Sequence, residues 1–201
     1  MELDVLKKNL EKLGYAASVF DTKEEAARYL ENSIRGRTVG FGGSVTLRQM
    51  GLYERLSRHN EVIWHWAVPE GESVKSVRLR ANAADIYISS VNGVSQAGEI
   101  VNIDGTCNRV SAMLYGHEKV YFVMGENKVE KTLEDAIRRA RNVAAPKNAA
   151  RLSLNTPCAA KADRCYDCKS PDRICRALCV LWQKPIGGDF EAVIIKESLG
   201  Y

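Results

Sequence analysis

The sequence lacks any apolar run of about 18 residues, the length that a membrane-spanning helix requires. It also lacks a secretion signal, because the leucines between Leu3 and Leu13 recur at helical spacing among charged residues instead of forming one apolar block. We therefore predict a cytoplasmic protein with no membrane partner. In that compartment thiols stay reduced, so the six cysteines need an explanation other than structural disulfides.

Neither sign of charge dominates the composition. The chain has 29 lysines and arginines against 25 aspartates and glutamates, a net charge of +4. Its densest basic cluster is Arg138, Arg139 and Arg141. That cluster falls on a predicted helix and is interpreted as a solvated helix face, so we expect no nucleic-acid partner. The 45% hydrophobic and 27% charged residues are typical of a globular protein and exclude a disordered chain.

The common catalytic signatures are missing as well. The sequence contains no G-x-G-x-x-G fingerprint, no Walker lysine and no H-E-x-x-H motif, and no Ser-His-Asp arrangement is visible. His59 and His117 carry no spacing pattern. His65 stands between two tryptophans and is interpreted as a packed strand residue more readily than as one that stacks on a ligand.

Strand and helix periodicities alternate along most of the chain. The predicted strands are 15–20, 37–41, 61–66, 85–90, 99–103, 119–124 and 191–196. Helical patterns lie between them, including a long helix from Leu133 that Pro146 is predicted to interrupt. This order predicts an α/β fold with a mostly parallel sheet and helices on both faces.

The alternation stops between residues 153 and 188, which are rich in cysteine, proline and charge. We therefore divide the chain into an α/β domain at 1–152, a small cysteine-rich module at 153–188 and a final strand segment at 189–201 that returns to the sheet.

The cysteine-rich module has the spacing of a metal site. Four of its cysteines follow the pattern C-x6-C-x2-C-x6-C: Cys158, Cys165, Cys168 and Cys175. Four thiolates suit either Zn²⁺ or an iron–sulfur cluster. Zinc ribbons usually have two C-x2-C pairs and this chain has one, which favours a 4Fe-4S cluster with zinc as the alternative. Cys179 is an alternative fourth ligand, and unligated thiols or disulfides remain less favoured interpretations.

Three glycine-containing loops each follow a predicted strand. Glycine lets a backbone approach a ligand closely, and ligands of open α/β sheets bind beyond the carboxyl ends of the strands. We predict that the loops bind a small anionic ligand, although each can also be only a turn. The candidate ligand-binding residues are Gly42, Gly43, Ser44, Thr46, Asn92, Gly93, Gly105, Thr106 and Asn108.

Glu99 is the candidate catalytic residue. It is the carboxylate that lies beside two of the glycine loops, so it is placed to act as acid, base or nucleophile. A solvated hairpin carboxylate is the equally supported alternative.

Several long segments resemble the LUD-domain family of lactate-utilisation-type proteins. They are GFGGSVTLRQMGLYERL, ADIYISSVNGVSQAGEIVNIDGTCNRVSAMLYG, EKVYFVMGENKV and AIRRARNVAAPKNAARL. The ending TPCAAKADRCYDCKSPDRIC is similar to the cysteine tail of one branch of that family. The resemblance extends from about residue 37 to Tyr201.

The resemblance implies a fold of the NagB/RpiA/CoA-transferase-like type, whose members bind phosphorylated sugars, CoA thioesters or folates at the glycine loops. By that analogy Gly42, Gly43, Ser44 and Glu99 face the ligand. Well-known relatives belong to an iron–sulfur system that oxidises L-lactate to pyruvate, which implies other lactate-utilisation subunits as partners. Cys107 departs from the pattern, because this branch typically has glycine there.

Three functions remain open at this point. The first is a redox-linked subunit of organic-acid oxidation with a metal-bearing tail. The second is a stand-alone enzyme of the isomerase, transferase or ligase type. The third is a non-catalytic ligand-binding module with structural zinc. Fold alone does not choose among them, because one fold hosts many chemistries.

Overall fold

The structure is a computed structural model that describes residues 2–201, with ten strands and nine α-helices among them. The strands are β1 (Ala16–Phe20), β2 (Thr38–Phe41), β3 (Glu61–Trp64), β4 (Ile86–Ser89), β5 (Gly93–Ser95), β6 (Ile100–Asp104), β7 (Lys119–Gly125), β8 (Val129–Glu130), β9 (Ala177–Leu181) and β10 (Asp189–Ile195). The helices are α1 (Leu3–Lys12), α2 (Lys23–Ser33), α3 (Val45–Gln49), α4 (Leu52–Leu56), α5 (Val74–Ala81), α6 (Asn108–Leu114), α7 (Leu133–Arg139), α8 (Ala145–Arg151) and α9 (Pro157–Lys161).

Six strands form a central sheet in the order β1-β10-β7-β4-β2-β3, and every pairing in it is parallel. This confirms the predicted α/β class with a mostly parallel sheet. A smaller four-stranded sheet has the order β8-β5-β6-β9 and mixes parallel with antiparallel pairs. The final segment of the chain places β10 between β1 and β7, inside the central sheet.

Helices cover both faces of the central sheet, as predicted. Along β7, Phe122 packs into a core cluster with Leu6 and Leu10 of α1, while the next residue, Val123, packs into a second cluster with Leu30 of α2. Consecutive residues of a strand point to opposite faces, so one strand serves both cores. The run of fully buried residues in β7 and β10 follows from this double covering.

The small sheet is the main difference from the prediction. Its strands β5 and β8 have three and two residues, too short for a periodic pattern to reveal. Strand β9 comes from the segment predicted as a separate cysteine-rich module, and it pairs antiparallel with β6, with Cys179 opposite Asn102. Part of that segment is therefore an edge strand that is continuous with the α/β body.

The long predicted helix is not interrupted at Pro146. Helices α7 and α8 are joined by a π-helical turn at Ala140–Ala144, and the helical path continues to Arg151. Proline lacks an N–H group but is tolerated in the first turn of a helix, and Pro146 occupies that position of α8. The helical segment that follows β2 is divided into α3 and α4 by Gly51, whose φ is +61°.

Across residues 2–201, no helix combines the length and the apolar character that crossing a bilayer takes.

Candidate functional site

A cavity of about 410 Å³ lies at the carboxyl ends of the central strands. Its wall includes residues within three positions of the ends of β2, β3, β4, β6 and β7, together with residues of α5, α8 and the chain end near Tyr201. Open α/β sheets place their ligands at this edge, and pockets of this volume suit small molecules. The cavity is therefore the candidate binding site.

The three glycine-containing loops meet at this cavity. Seven of the nine candidate ligand-binding residues line it: Gly43, Ser44, Thr46, Asn92, Gly105, Thr106 and Asn108. Gly42, Gly93 and the candidate catalytic residue Glu99 are not part of its lining.

Gly42 and Gly93 are glycines for reasons of packing. A Cβ atom on Gly42 would lie 2.6 Å from Ser89 Oγ and 3.1 Å from the Arg109 side chain. A Cβ atom on Gly93 would lie 2.8 Å from the backbone oxygen of Ala136 in α7. Both distances are shorter than van der Waals contact, so these positions let neighbouring elements approach one another and do not face a ligand.

Glu99 lies in the turn between β5 and β6. The Ser95 hydroxyl donates to its carboxylate, and the adjacent Gly98 packs against Leu13, next to α1. Because Glu99 stands outside the cavity, we assign it no part in the chemistry proposed below.

Lys128 is the most unusual residue of the cavity wall. Its side chain is 2% exposed, and its Nζ atom donates to Thr46 Oγ1 at 2.9 Å and to Ser90 Oγ at 2.6 Å. No carboxylate forms an ion pair with it in the described part of the chain. Burial, reinforced by the cationic Arg139 and Arg109, holds the pKa of Lys128 well below its ordinary value.

The cavity is lined by more positive than negative side chains. The guanidinium groups of Arg78, Arg109 and Arg151 are positively charged, and Asp104 is the one acidic residue among the lining residues. The Asp104 carboxylate accepts hydrogen bonds from the backbone N–H groups of the loop that begins α6, so it is committed to that turn. The charge balance therefore favours an anionic ligand.

Arg109 connects several segments of the cavity wall through its hydrogen bonds. Its guanidinium donates to the backbone oxygens of Ser90 and Ile103 and to the side-chain oxygens of Asn92 and Asn102. These bonds join the end of β4 to β6 across two sheets. With its donors used in this way, Arg109 acts as a structural clamp more than as a ligand contact.

Arg78 and Arg151 remain available to a ligand. Arg78 Nε is buried and has no hydrogen-bond partner within residues 2–201. Arg151 lies over the ring of Trp66 at 4.7 Å and bonds to neutral groups, Asn148 Oδ1 and the Tyr201 hydroxyl. Neither guanidinium has an acidic partner in the described chain.

His65 also reaches the cavity, where its ring lies against Gly43. Burial, together with the nearby Arg78, lowers the pKa of His65 to about 4. The imidazole is therefore neutral near pH 7. A Cβ atom on Gly43 would lie 3.1 Å from its Nε2 atom, so glycine at this position leaves room for the ring.

The family model described as the LUD domain matches residues 3–195. This chain belongs to the LUD-domain family. Membership supports a role related to lactate utilisation. Among curated proteins, none matches this chain.

One solved structure agrees with this family at the level of fold. The crystal structure of a DUF162 family protein from Deinococcus radiodurans is 10% identical, with a TM-score of 0.55, over 96% of this chain and 95% of the other. Ribose 5-phosphate isomerase A from Neisseria gonorrhoeae is 15% identical over 55% of this chain and 54% of the other, with a TM-score of 0.36. At 10% identity, the similarity to the DUF162 family protein shows a shared fold alone.

Cys107 has a left-handed backbone in this LUD domain, with a φ of +63°, directly before α6. Glycine adopts that conformation without a steric cost, whereas a residue with a Cβ atom is strained there. The geometry explains why glycine suits this position. The Cys107 side chain is exposed and is not part of the cavity lining.

The four cysteines predicted to bind metal are free thiols of intermediate burial. Arg141 Nη2 lies 3.7 Å from Cys165 Sγ, and the Arg173 guanidinium donates to the backbone oxygens of Cys168 and Cys175. Within residues 2–201, no three Cys, His, Asp or Glu side chains are close enough together to hold a metal ion. The arrangement of the sulfurs therefore does not by itself fit a cluster or a zinc ion.

Sequence reasoning missed the basic residues of the site. Lys128 comes three residues after β7. Ligands of open α/β sheets bind beyond the carboxyl ends of the strands, and this rule, which selected the glycine loops, also applies to the end of β7. Arg78 and Arg151 lie on helices that reach the cavity only through tertiary packing, and no local pattern marks them. The π-helical turn before α8 is a further indication, since such turns are frequent at functional sites.

Proposed function

We propose that this LUD-domain protein binds a small organic anion in the cavity and acts on it in organic-acid metabolism related to lactate utilisation. The observation that carries the proposal is that the guanidinium groups of Arg78 and Arg151 line one cavity and that neither has an acidic partner within residues 2–201. A guanidinium without a counter-ion is free to form charge-assisted hydrogen bonds with an incoming carboxylate or phosphate.

The lining also offers neutral hydrogen-bonding groups around these charges. Ser44, Thr46, Thr106 and Asn108 supply hydroxyl and amide groups, and Trp66 supplies an apolar wall. A few polar groups on the wall of a pocket orient a small ligand and give specificity. The lining therefore supports a protein that binds its own small ligand, which both the stand-alone enzyme and the ligand-binding module require.

Replacing Arg78 with alanine is expected to weaken anion binding by about 10-fold or more, because a charge-assisted hydrogen bond contributes roughly 1.5–3 kcal/mol. Calorimetric titration with L-lactate, pyruvate and inorganic phosphate measures the affinity. Arg80→Ala is the matched control, because Arg80 lies on the same helix but pairs with Glu61 and Glu72 at the surface. Equal affinities for the Arg78→Ala variant and the wild type, or no binding of any of these anions, would contradict the proposal.

A second proposal concerns the cysteine segment. The resemblance to relatives of iron–sulfur systems and the four-cysteine spacing support a redox-linked subunit whose tail binds a 4Fe-4S cluster, or zinc, and docks with other lactate-utilisation subunits. Basic side chains beside the cysteines, Arg141 and Arg173, suit the negative charge of a thiolate site. Binding would require residues 158–175 to rearrange.

Changing Cys165 and Cys168 together to serine is expected to remove the metal from protein that is purified without oxygen. The C-x2-C pair supplies two of four ligands, and two remaining thiolates do not hold a cluster. Elemental analysis and the visible absorption spectrum measure the content, with Cys107→Ser as control. Metal-free wild-type protein after anaerobic reconstitution, or a double variant that retains the metal, would count against the tail as a metal site.

A further inference from the structure

We propose that the Lys128 amine forms a reversible imine with a small 2-oxo acid bound in the cavity. This inference builds on the proposed anion-binding function and specifies the ligand class and the reacting atom. It starts from an unusual placement: a lysine on the wall of a polar cavity that is almost fully buried and lacks a carboxylate partner within residues 2–201.

The donors and acceptors in the hydrogen bonds around Lys128 can be assigned. Thr46 Oγ1 donates to the backbone oxygen of Leu199 at 3.3 Å, and Ser90 Oγ donates to Thr46 Oγ1 at 3.3 Å. Both hydroxyl protons are thereby used, so each oxygen accepts from Lys128 Nζ. Two donated bonds use both N–H groups of a neutral amine. Its lone pair then has no partner in the described protein and is available to an electrophile.

The surroundings favour the neutral amine. Arg109 and Arg139 are the charged groups that act on Lys128, and both are cationic. Arg139 is itself anchored to the backbone oxygens of Asn127 and Asn92, so it is fixed in place. A lysine that is desolvated beside other cations is the arrangement that activates an amine as a nucleophile near neutral pH.

The reaction balances with the groups present. The Nζ lone pair attacks the carbonyl carbon, an N–C bond forms, and the carbonyl π electrons move to oxygen, which takes one proton from nitrogen. The resulting carbinolamine then loses its hydroxyl group together with the second nitrogen proton as water, leaving a C=N bond. The hydroxyl groups of Thr46 and Ser90 touch the nitrogen and can pass these protons.

The ligand class follows from the two kinds of group in the cavity. The amine requires a carbonyl carbon, and Arg78 and Arg151 suit a carboxylate in the same molecule. The smallest compounds that combine both are 2-oxo acids. A 2-hydroxy acid such as L-lactate satisfies the arginines but offers no carbonyl to the amine.

The test traps the imine in the full-length protein. Pyruvate or glyoxylate is added, sodium borohydride reduces any imine to a stable amine, and peptide mass mapping locates the adduct. We expect the adduct on Lys128 to exceed that on any other lysine by about 10-fold or more. Lys128→Met should lose it, while Lys147→Met, a change at an exposed lysine of α8, should label like the wild type. L-lactate should give no adduct.

Two results separate the inference from the proposed function. Calorimetric binding of pyruvate without a trapped adduct, or adducts spread evenly over surface lysines, overturns the imine and leaves anion binding intact. If neither 2-oxo acid binds or leaves an adduct, the imine inference fails, and the proposed function fails with it when L-lactate and inorganic phosphate do not bind either.

Discussion

Replacing Lys128 with methionine is expected to stabilise the protein while it removes ligand chemistry at the cavity. The substitution keeps the apolar stem of the side chain and removes a buried nitrogen whose charged form is poorly solvated. Thr46 and Ser90 keep their own hydrogen bonds to Leu199 and to each other. The gain is on the order of 1–3 kcal/mol, and each kcal/mol shifts the unfolding temperature of a domain this size by about 2–4 °C.

The pH dependence of the increase in stability shows whether it comes from removing a buried titratable amine or from better packing of methionine. Folding lowers the pKa of Lys128 from its ordinary value of 10.5. Between the folded-state pKa and pH 10.5, the unfolded chain therefore binds more protons than the folded chain. The wild type therefore loses stability as the pH falls from about 10.5 towards the folded-state pKa. The advantage of Lys128→Met should be largest near pH 7 and shrink towards pH 10.

Thermal unfolding of the variant and the wild type at several pH values measures this effect. Lys147→Met serves as the control, because its side chain is exposed and its removal should change stability little at any pH. A Lys128→Met variant that is less stable than the wild type near pH 7 would show that the bonds to Thr46 and Ser90 outweigh the cost of burying the amine. That result would also remove the physical reason for treating Lys128 as a functional residue held at a stability cost.

Replacing Arg109 with methionine should have the opposite effect and destabilise the protein by about 3–5 kcal/mol. The stem that packs against Gly42 is retained, but the backbone oxygens of Ser90 and Ile103 and the side-chain oxygens of Asn92 and Asn102 each lose a donor. Asn92 Oδ1 keeps the Ile103 N–H and the Ser90 oxygen keeps the Ser89 hydroxyl, but each acceptor loses its charge-assisted bond, and these bonds join the two sheets. Denaturant unfolding measures the loss.

Arg109→Lys and Arg138→Met complete this experiment. Lysine keeps the charge but not the planar fork of donors, so Arg109→Lys should remain clearly less stable than the wild type. Arg138 is exposed and pairs only with the nearby Asp135, so Arg138→Met should change stability by less than about 0.5 kcal/mol. A loss below about 1 kcal/mol in Arg109→Met would mean that solvent replaces the clamp.

Arg109 and Lys128 are basic residues of one cavity and have different roles. Arg109 uses its donors to build the cavity, so its removal acts through the fold. Burial of Lys128 lowers the free energy of unfolding, and it places an amine at the proposed ligand site. Measuring stability and ligand binding on the same variants therefore separates structural from functional residues.

The sequence by itself determined the family, the alternation of strands and helices, and most of the loops at the cavity. These features depend on short-range patterns, such as the apolar strand 119–124 or the glycines beside Ser44, and on the rule that parallel strands end at one edge of a sheet. They predicted seven of the residues that line the cavity without any knowledge of packing.

Only the tertiary structure decided which side chains face the ligand. Glu99 and Gly42 belong to the same kind of glycine-containing loop as the residues of the cavity. Glu99, however, lies in the β5–β6 turn, and Gly42 packs against Arg109. Arg78 and Arg151 come from helices distant in sequence, and Lys128 is distinguished by its burial. Burial, the partners of a hydrogen bond and the lack of a counter-ion depend on contacts between distant segments, so no local pattern encodes them.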